Sequence, residues 1–249
     1  MQISERLRAV AGMVSSGCRL ADVGTDHAYI PIYLIQNGTV PQAIAMDINQ
    51  GPLLRATENI RRYGLAGQIE TRLSDGLEKL QAGEADTVLI AGMGGLLMVR
   101  ILENGREVLT GCRELVLQPQ SDIRSVRAYL EENGWQIDRE DLVFEDGKYY
   151  PMMRAVRKKA PERVRRDAEV DNRNDSNEGI RHELELRYGP LLLQKHHPLL
   201  PDYLSREERL CRQVLEAMQG KETEAANARR EELRKELEFL HRARKLAVR

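Results

Sequence analysis

No stretch of this 249-residue chain is apolar for long enough to span a bilayer: the longest apolar run, Val88 to Val99, carries three glycines and stops short of the roughly 18 residues that suggest a membrane helix. The amino terminus, MQISERLRAVAGMV, alternates charged and apolar residues. It lacks the basic start and unbroken apolar core of a secretory signal, so a cytoplasmic protein is expected. Cysteine is scarce. Cys18, Cys112 and Cys211 are widely spaced, odd in number and form no CxxC pair, which excludes a disulfide framework and a zinc site and leaves reduced structural thiols; no metal is expected. Internal repeats are absent, and the heptads at the carboxyl end are too few for a long dimeric coiled coil, so a monomer is expected. The chain also lacks an extreme of charge, with a formal net charge of -1.

What is present is an ordinary globular composition, 41% hydrophobic and 31% charged, enough for one sizeable α/β domain and a smaller appendage. The near-neutral total hides an asymmetry: residues 1–156 carry 16 Lys and Arg against 21 Asp and Glu, and the remainder 22 against 18. Ser4 to Val14 reads as an amphipathic helix with Ser4 as N-cap. Short apolar runs follow at Arg19–Val23, Ala43–Asp47, Ile69–Leu73, Thr87–Ala91 and Glu114–Gln118. They alternate with helical segments at Pro31–Gln36, Pro52–Tyr63, Gly95–Asn104 and Ile123–Asn133, the pattern of a parallel sheet with crossover helices. Gln136–Glu145 and Tyr149–Val156 are strand-like runs joined across an Asp146-Gly147 pair, a strong hairpin signal. The expected fold is therefore α/β, a Rossmann-like seven-stranded sheet whose five parallel strands are closed by a carboxy-terminal antiparallel β-hairpin.

Beyond the hairpin comes a basic cluster, Arg154, Arg157, Lys158, Lys159, Arg163, Arg165 and Arg166, then a polar stretch, Asp171 to Glu178, expected to be a loop. Ser205 and Glu208 form a capping-box pattern for a helix that Gly220 can end, and a second helix runs from about Glu222 with Leu233, Leu237 and Leu240 on one face. His196 and His197, beside Pro198, read as a helix connection. These signals divide the chain into a Rossmann-like α/β domain, residues 1–159, and a small helical, coiled-coil-like arm, residues 160–249.

The chemistry is concentrated at the ends of the expected strands. Asp22-Val23-Gly24-Thr25-Asp26-His27 follows the first strand, and at Gly24 the missing side chain permits close approach of a ligand. A dinucleotide site requires G-x-G-x-x-G so that amides can hold a pyrophosphate, and only its first glycine is here. Asp47 ends the second strand and Asp75 follows the third. An aspartate at any one of these places also serves as a loop carboxylate or a helix cap. Three acids ending three successive strands make an ordered set, and carboxylates suit a cationic ligand better than a phosphate. After the fourth strand, Ala91-Gly92-Met93-Gly94-Gly95 reads either as a small wall beside a planar base or as tight strand-to-helix packing. The Asp/Asn-Pro-Pro-aromatic segment typical of exocyclic adenine amine methylation is missing.

The segments DVGTDHAYIPIYL, MDIN, SDGL, AGMGG, LQPQSD and Gly147-Lys148-Tyr149-Tyr150-Pro151 resemble the bacterial tRNA (adenine-22-N1)-methyltransferases, class I enzymes that use S-adenosyl-L-methionine. The resemblance covers residues 1 to about 156 and implies methylation of N1 of the adenine at tRNA position 22. It implies a cofactor site formed by Asp22, Gly24, Asp26, His27, Asp47, Ile48, Asp75, Gly76, Gly92 and Met93, with an acid in the position of Asp75 contacting the adenine amino group.

Because methylation at N1 yields a cation without removing a proton, positioning and electrostatics should outweigh base catalysis. Asp26 is then the first choice for stabilising charge, with His27 and Tyr29 orienting the base; His27 reads equally as a structural histidine. Gln118 and Gln120 are candidates for a base edge. The cluster from Arg154 to Arg166, and Arg229, Arg230, Arg234 and Lys235 on the arm, are candidates for RNA phosphates. The sequence leaves open a methyltransferase acting on another RNA or a small molecule, and a non-catalytic RNA-binding protein of the same fold.

Overall fold

The computed structural model describes residues 1–158, 177–220 and 223–247. The chain divides into two compact units, Met1–Asp167 and Ala168–Arg249. In the first, helices α1 (Glu5–Ala11), α2 (Tyr29–Gln36), α3 (Gln50–Arg62), α4 (Gly95–Asn104), α5 (Arg106–Leu109) and α6 (Ile123–Glu132) accompany strands β1 (Leu20–Val23), β2 (Ala43–Asp47), β3 (Ile69–Leu73), β4 (Thr87–Gly94), β5 (Glu114–Ser121), β6 (Trp135–Glu145) and β7 (Lys148–Arg157). The seven strands lie in the order β3-β2-β1-β4-β5-β7-β6. Strands β1 to β5 pair in parallel, and β7 runs antiparallel to both β5 and β6.

Apolar residues fill both faces of the central strands, as a sheet covered on two sides requires. Val88 and Ile90 of β4 pack with Met98, Leu102, Val126 and Leu130 from α4 and α6 on one face. Leu89, between them, joins Val10, Ile32, Leu34, Ala56 and Ile60 on the other, the two-residue alternation of a strand. Ser4 caps α1, its hydroxyl accepting from Leu7 N at 3.3 Å. At the hairpin tip, Asp146 and Gly147 take φ values of 49° and 74°, the left-handed pair of a type I′ turn.

Polar side chains fasten the amino-terminal end of the sheet. The buried Glu114 accepts hydrogen bonds from Ser15 N (2.8 Å), Ser15 Oγ (2.5 Å) and Thr87 Oγ1 (2.9 Å). Asp86 accepts from Arg19 N and Arg19 Nε, both at 3.0 Å, and the hydrogen bond from Arg19 holds its carboxyl below the usual carboxylate range. Asp138 is the extra residue where β6 shifts register between Ile137 and Arg139, and its carboxylate pairs with Arg154 Nη2 at 2.7 Å.

The second unit holds α7 (Asn177–Tyr188), α8 (Pro190–Gln194), α9 (Leu200–Ala217) and α10 (Glu224–Ala247). Helices α9 and α10 run antiparallel, tied by Cys211 Sγ to Leu233 O (3.3 Å) and by the Arg244–Glu208 pair (2.5 Å). Leu233 and Leu240 are buried on the shared face and Leu237 is half-buried. The capping box expected at Ser205 is not formed. Helix α9 begins a turn and a half earlier, with a proline in its first turn, where a missing N–H costs nothing. Ser205 instead donates to Pro201 O at 2.8 Å, and Glu208 pairs with Arg212. Of the polar stretch at 171–178, only Asn177 and Glu178 lie within the described residues, and they open α7. Among the described residues no helix is long and apolar enough to cross a membrane.

Gly95, where β4 passes into α4, is needed for packing. A Cβ there would lie 2.5 Å from Ser121 O and 2.6 Å from Asp122 O, backbone atoms that cannot step aside. Gly95→Ala is therefore expected to lower the unfolding free energy by about 1–3 kcal/mol, whereas Gly67→Ala, with nothing within 4 Å, changes it little. Urea denaturation midpoints of the two variants provide the check.

Candidate active site

Strand β1 is flanked by β2 on one side and β4 on the other, so the connections diverge there and a crevice opens at the carboxyl ends of the strands. The segment after β1 is bent by Gly24, His27 and Ala28, with φ of 75°, 65° and 54°. Two consecutive non-glycine residues in the left-handed region are uncommon and concentrate at functional sites. The bend is held by Asn59 Nδ2, which donates to His27 O at 3.1 Å. The amides of Gly24 and Thr25 both donate to Met46 O at 2.8 Å. They are thus committed to the sheet and cannot cradle a phosphate, a physical reason beyond the missing glycines against a dinucleotide site.

Asp22 is buried, and Thr25 Oγ1 donates to its Oδ2 at 2.6 Å. Burial is the main cause that raises its pKa to about 6; the Thr25 hydrogen bond opposes the rise and the negative charge of Asp47 adds to it. Asp47 is half-buried, with Oδ1 accepting from Asn49 N at 2.7 Å. Asp75 is exposed beside the buried Gly76, in a turn fixed by Ser74 Oγ donating to Gly76 O at 2.9 Å. Ile48 is 58% exposed. The structure thus brings Asp22, Gly24, Asp47, Ile48, Asp75 and Gly76 to the carboxyl edge of the β1–β2–β3 half of the sheet. The space that a side chain at Gly24 would take is filled by Met93: a Cβ would fall 2.0 Å from Met93 Cε. Gly92, with φ of 79°, and Met93 bound the same crevice from β4.

Asp26 is exposed and pairs with Arg55 Nη2 of α3 at 3.0 Å, with His27 Nε2 at 3.5 Å. The His27 and Tyr29 rings stack in parallel, centroids 5.0 Å apart with an interplanar angle of 6°. The three residues expected to act on the base therefore form one contiguous acid and aromatic surface.

Of the two glutamines, Gln118 departs from expectation. Gln118 is fully buried, its Nε2 donating to Pro119 O (3.1 Å) and its Oε1 accepting from Arg6 Nη1 (3.0 Å), so it holds an arginine and has no edge to offer a base. Gln120 is exposed next to Gly92. Of the basic cluster, Arg154 and Arg157 lie near the amino-terminal end of the parallel strands, Arg154 facing Val116 and Val156 facing Glu114. Arg154 pairs with Asp138, while Arg157 Nη2 donates to Leu109 O (2.9 Å) and its guanidinium stacks 4.0 Å from the Trp135 ring. Arg154 is half-buried and Arg157 exposed; both are tied to groups of their own unit and stand away from the crevice. Lys158 is exposed; Lys159, Arg163, Arg165 and Arg166 lie outside the described residues. On α10, Arg229 pairs with Glu232 and Arg234 with Glu231, the pattern of a solvated helix face. Sequence reasoning missed Thr25, Arg55, Asn59 and Arg6. Only Thr25 carried a local signal, three residues after Asp22.

A family described as a methyltransferase domain matches residues 3–153. The Bacillus subtilis tRNA (adenine(22)-N(1))-methyltransferase is 33% identical over 241 residues, covering 96% of each chain. A Streptococcus pneumoniae putative tRNA (m1A22) methyltransferase, solved in complex with S-adenosyl-L-methionine, is 30% identical with a TM-score of 0.79, covering 98% of this chain and 100% of that one. The Mycoplasma capricolum enzyme TrmK, solved with S-adenosyl-homocysteine, is 27% identical with a TM-score of 0.77, covering 99% and 100%. With that likeness running through both units, and with the acids ending β1, β2 and β3 in place, the chain belongs to the tRNA (adenine(22)-N(1))-methyltransferase family.

Proposed function

We propose that this protein transfers a methyl group from S-adenosylmethionine to N1 of adenine 22 in tRNA, giving N1-methyladenosine, and that it does so as a cytoplasmic monomer. The observation that carries the reading is the ordered set Asp22, Asp47 and Asp75 at successive strand ends in a chain related over nearly its whole length to an enzyme of that activity.

The donor set fits the cofactor. Asp22 supplies a buried negative charge for an ammonium group, Asp47 has Oδ2 left to accept from ribose hydroxyls, and Asp75 and Ile48 border an adenine. S-adenosylmethionine supplies, when bound, a methyl group activated on a cationic sulfur. The chain's own task is to bring the ring nitrogen into line with that methyl and to tolerate the positive charge that develops on the base. Gly92 and Gly94 leave room for a planar ring at the end of β4. The His27–Tyr29 stack orients the base, and Asp26 supplies negative charge beside it. Arg55 holds that carboxylate in place. N1 bears no proton, so no side chain need act as a base. The nitrogen is hidden in a stacked or paired adenine, and the crevice must receive an extruded base.

We assign the helical unit, together with Lys158, Lys159, Arg163, Arg165 and Arg166, to holding the tRNA body. Phosphate contacts of that kind make affinity fall steeply with salt.

Two unmodified tRNA transcripts differing only in adenine or guanine at position 22, incubated with methyl-labelled cofactor, test the reading. Label is expected as N1-methyladenosine in the adenine transcript alone; label in both assigns the wrong site, and label in neither, with cofactor bound, rejects tRNA as the substrate. Asp22 gives a second prediction. Its carboxyl is neutral below about pH 6 and must ionise to hold a cation, so cofactor affinity rises as pH increases through about 6 and levels off until the cofactor's own ammonium deprotonates near about pH 8, with proton release on binding in the lower range. Calorimetric titration across pH should show this dependence in the wild type and its loss, together with weaker binding, in Asp22→Asn.

A further inference from the structure

The acids at the carboxyl edge belong to the β1–β2–β3 half of the sheet, but the other half carries a cation that no motif accounts for. Arg6 of α1 reaches the end of β5, where its Nη1 donates to Gln118 Oε1 at 3.0 Å. Gln118 cannot turn over, because it is fully buried and its Nε2 donates to Pro119 O at 3.1 Å. The guanidinium carbon lies 5.2 Å from the centre of the Tyr150 ring, and the backbone N of Arg6 donates to Glu145 Oε1 at 3.2 Å. Gln118 of β5 and Tyr150 of β7 thus fix the guanidinium, and Glu145 of β6 fixes the backbone of α1 that carries it. It stands beside the end of β4, since a Cβ on Gly92 would be 3.9 Å from Nη1.

Arg6 differs from most of the well-held arginines of this unit; Arg157 also has no carboxylate partner among the described residues, but it stacks on Trp135 at the amino-terminal end of the strands. Arg19, Arg55, Arg72, Arg127 and Arg154 each pair with a carboxylate. Among the described residues the Arg6 guanidinium pairs with none, and it is only half-buried, so its remaining N–H groups are available. A guanidinium held in place with its charge uncompensated is suited to bidentate recognition of an oxyanion.

We propose that Arg6 binds a phosphate of the tRNA backbone flanking the adenine to be methylated. The inference rests on the tRNA reading given above and adds a residue to it. Charge decides between phosphate and base as the ligand. Methylation at N1 leaves the ring positive, so a guanidinium against the ring would oppose the reaction, whereas a phosphodiester is anionic before and after transfer. A contact equally strong in both states anchors the nucleotide without changing the chemical barrier. Arg6 and the acids of β1 to β3 then divide the edge, the anionic half taking the cationic cofactor and the cationic residue taking the anionic backbone.

The test is steady-state methylation of the adenine-22 transcript by full-length wild type, Arg6→Gln and Arg6→Lys, with tRNA affinity measured across salt and cofactor affinity by calorimetry. In Arg6→Gln the KM for tRNA is expected to rise by about tenfold, kcat to stay within about twofold, and cofactor affinity to be unchanged. The slope of log affinity against log salt should shrink by about one. Arg6→Lys keeps the point charge, hence the slope, but recovers only part of the KM because an ammonium lacks the planar fork. An unchanged KM and slope in Arg6→Gln overturn the proposal. So does a loss explained by lower melting temperature and weaker cofactor binding at an unchanged slope, which would make Arg6 a strut between α1 and β5. A wild-type enzyme silent on the adenine-22 transcript removes the tRNA reading and this inference with it; an active wild type with an unaffected Arg6→Gln removes the inference alone.

Discussion

The arrangement at the working edge of the sheet depends on a buried carboxylate at the opposite edge. Glu114 opens β5 and gathers Ser15 N, Ser15 Oγ and Thr87 Oγ1, so it ties the segment after α1 to the start of β4 and β5. Asp86 and Arg19 do the same for β1. Buried polar groups of this kind are costly unless satisfied, which makes the register in which all of them are satisfied strongly preferred over its neighbours. A slip of one residue would exchange the faces of every strand. The same fastening sets α1 against the sheet. A carboxylate at the first residue of β5 therefore helps decide where Arg6 meets Gln118 further along that strand.

The carboxyl edge is the electrostatic complement of this fastened end. There the buried carboxylate of Asp22 is left short of partners. Asp22 has one hydroxyl, Thr25, against the combined effect of burial and the charge of Asp47, and its pKa stays raised. An ionised group held at such a cost gains from a bound cation, so destabilisation in the free protein becomes affinity in the complex. The amides of Gly24 and Thr25, already bonded to Met46 O, complete the discrimination: the loop offers negative charge and withholds the donors an anionic ligand would seek.

Much of this was legible in the sequence because it is local. Strands β2 and β3 fall on the expected runs, the Asp146-Gly147 pair predicts the turn it forms, and acids at consecutive strand ends converge whenever strands are parallel neighbours. What could not be read depends on distant parts of the chain. Arg154 and Arg157 are adjacent in sequence to the basic residues that follow, but partners distant in sequence engage them, Asp138 for the first and Leu109 O and Trp135 for the second. Ser205 and Glu208 have the spacing of a cap, yet a proline in the preceding turn starts the helix sooner. Arg6 and Gln118 are 112 residues apart, and nothing near either announces the other. Of the two readings of the Ala91–Gly95 segment, packing holds at Gly95, while a Cβ on Gly92 would meet only the side-chain ends of Gln120 and Arg6, at 3.8 and 3.9 Å.

The strand order has a consequence for synthesis on the ribosome. The last strand to emerge, β7, occupies an interior position between β5 and β6. Until residues up to Arg157 have left the exit tunnel, the nascent domain holds β1 to β5 with one edge of β5 unpaired, and an unpaired edge is where a chain recruits wrong partners. The side chains of Met153 and Ala155 that complete the core arrive in the same step. The β5 edge can therefore be closed only after the hairpin has emerged.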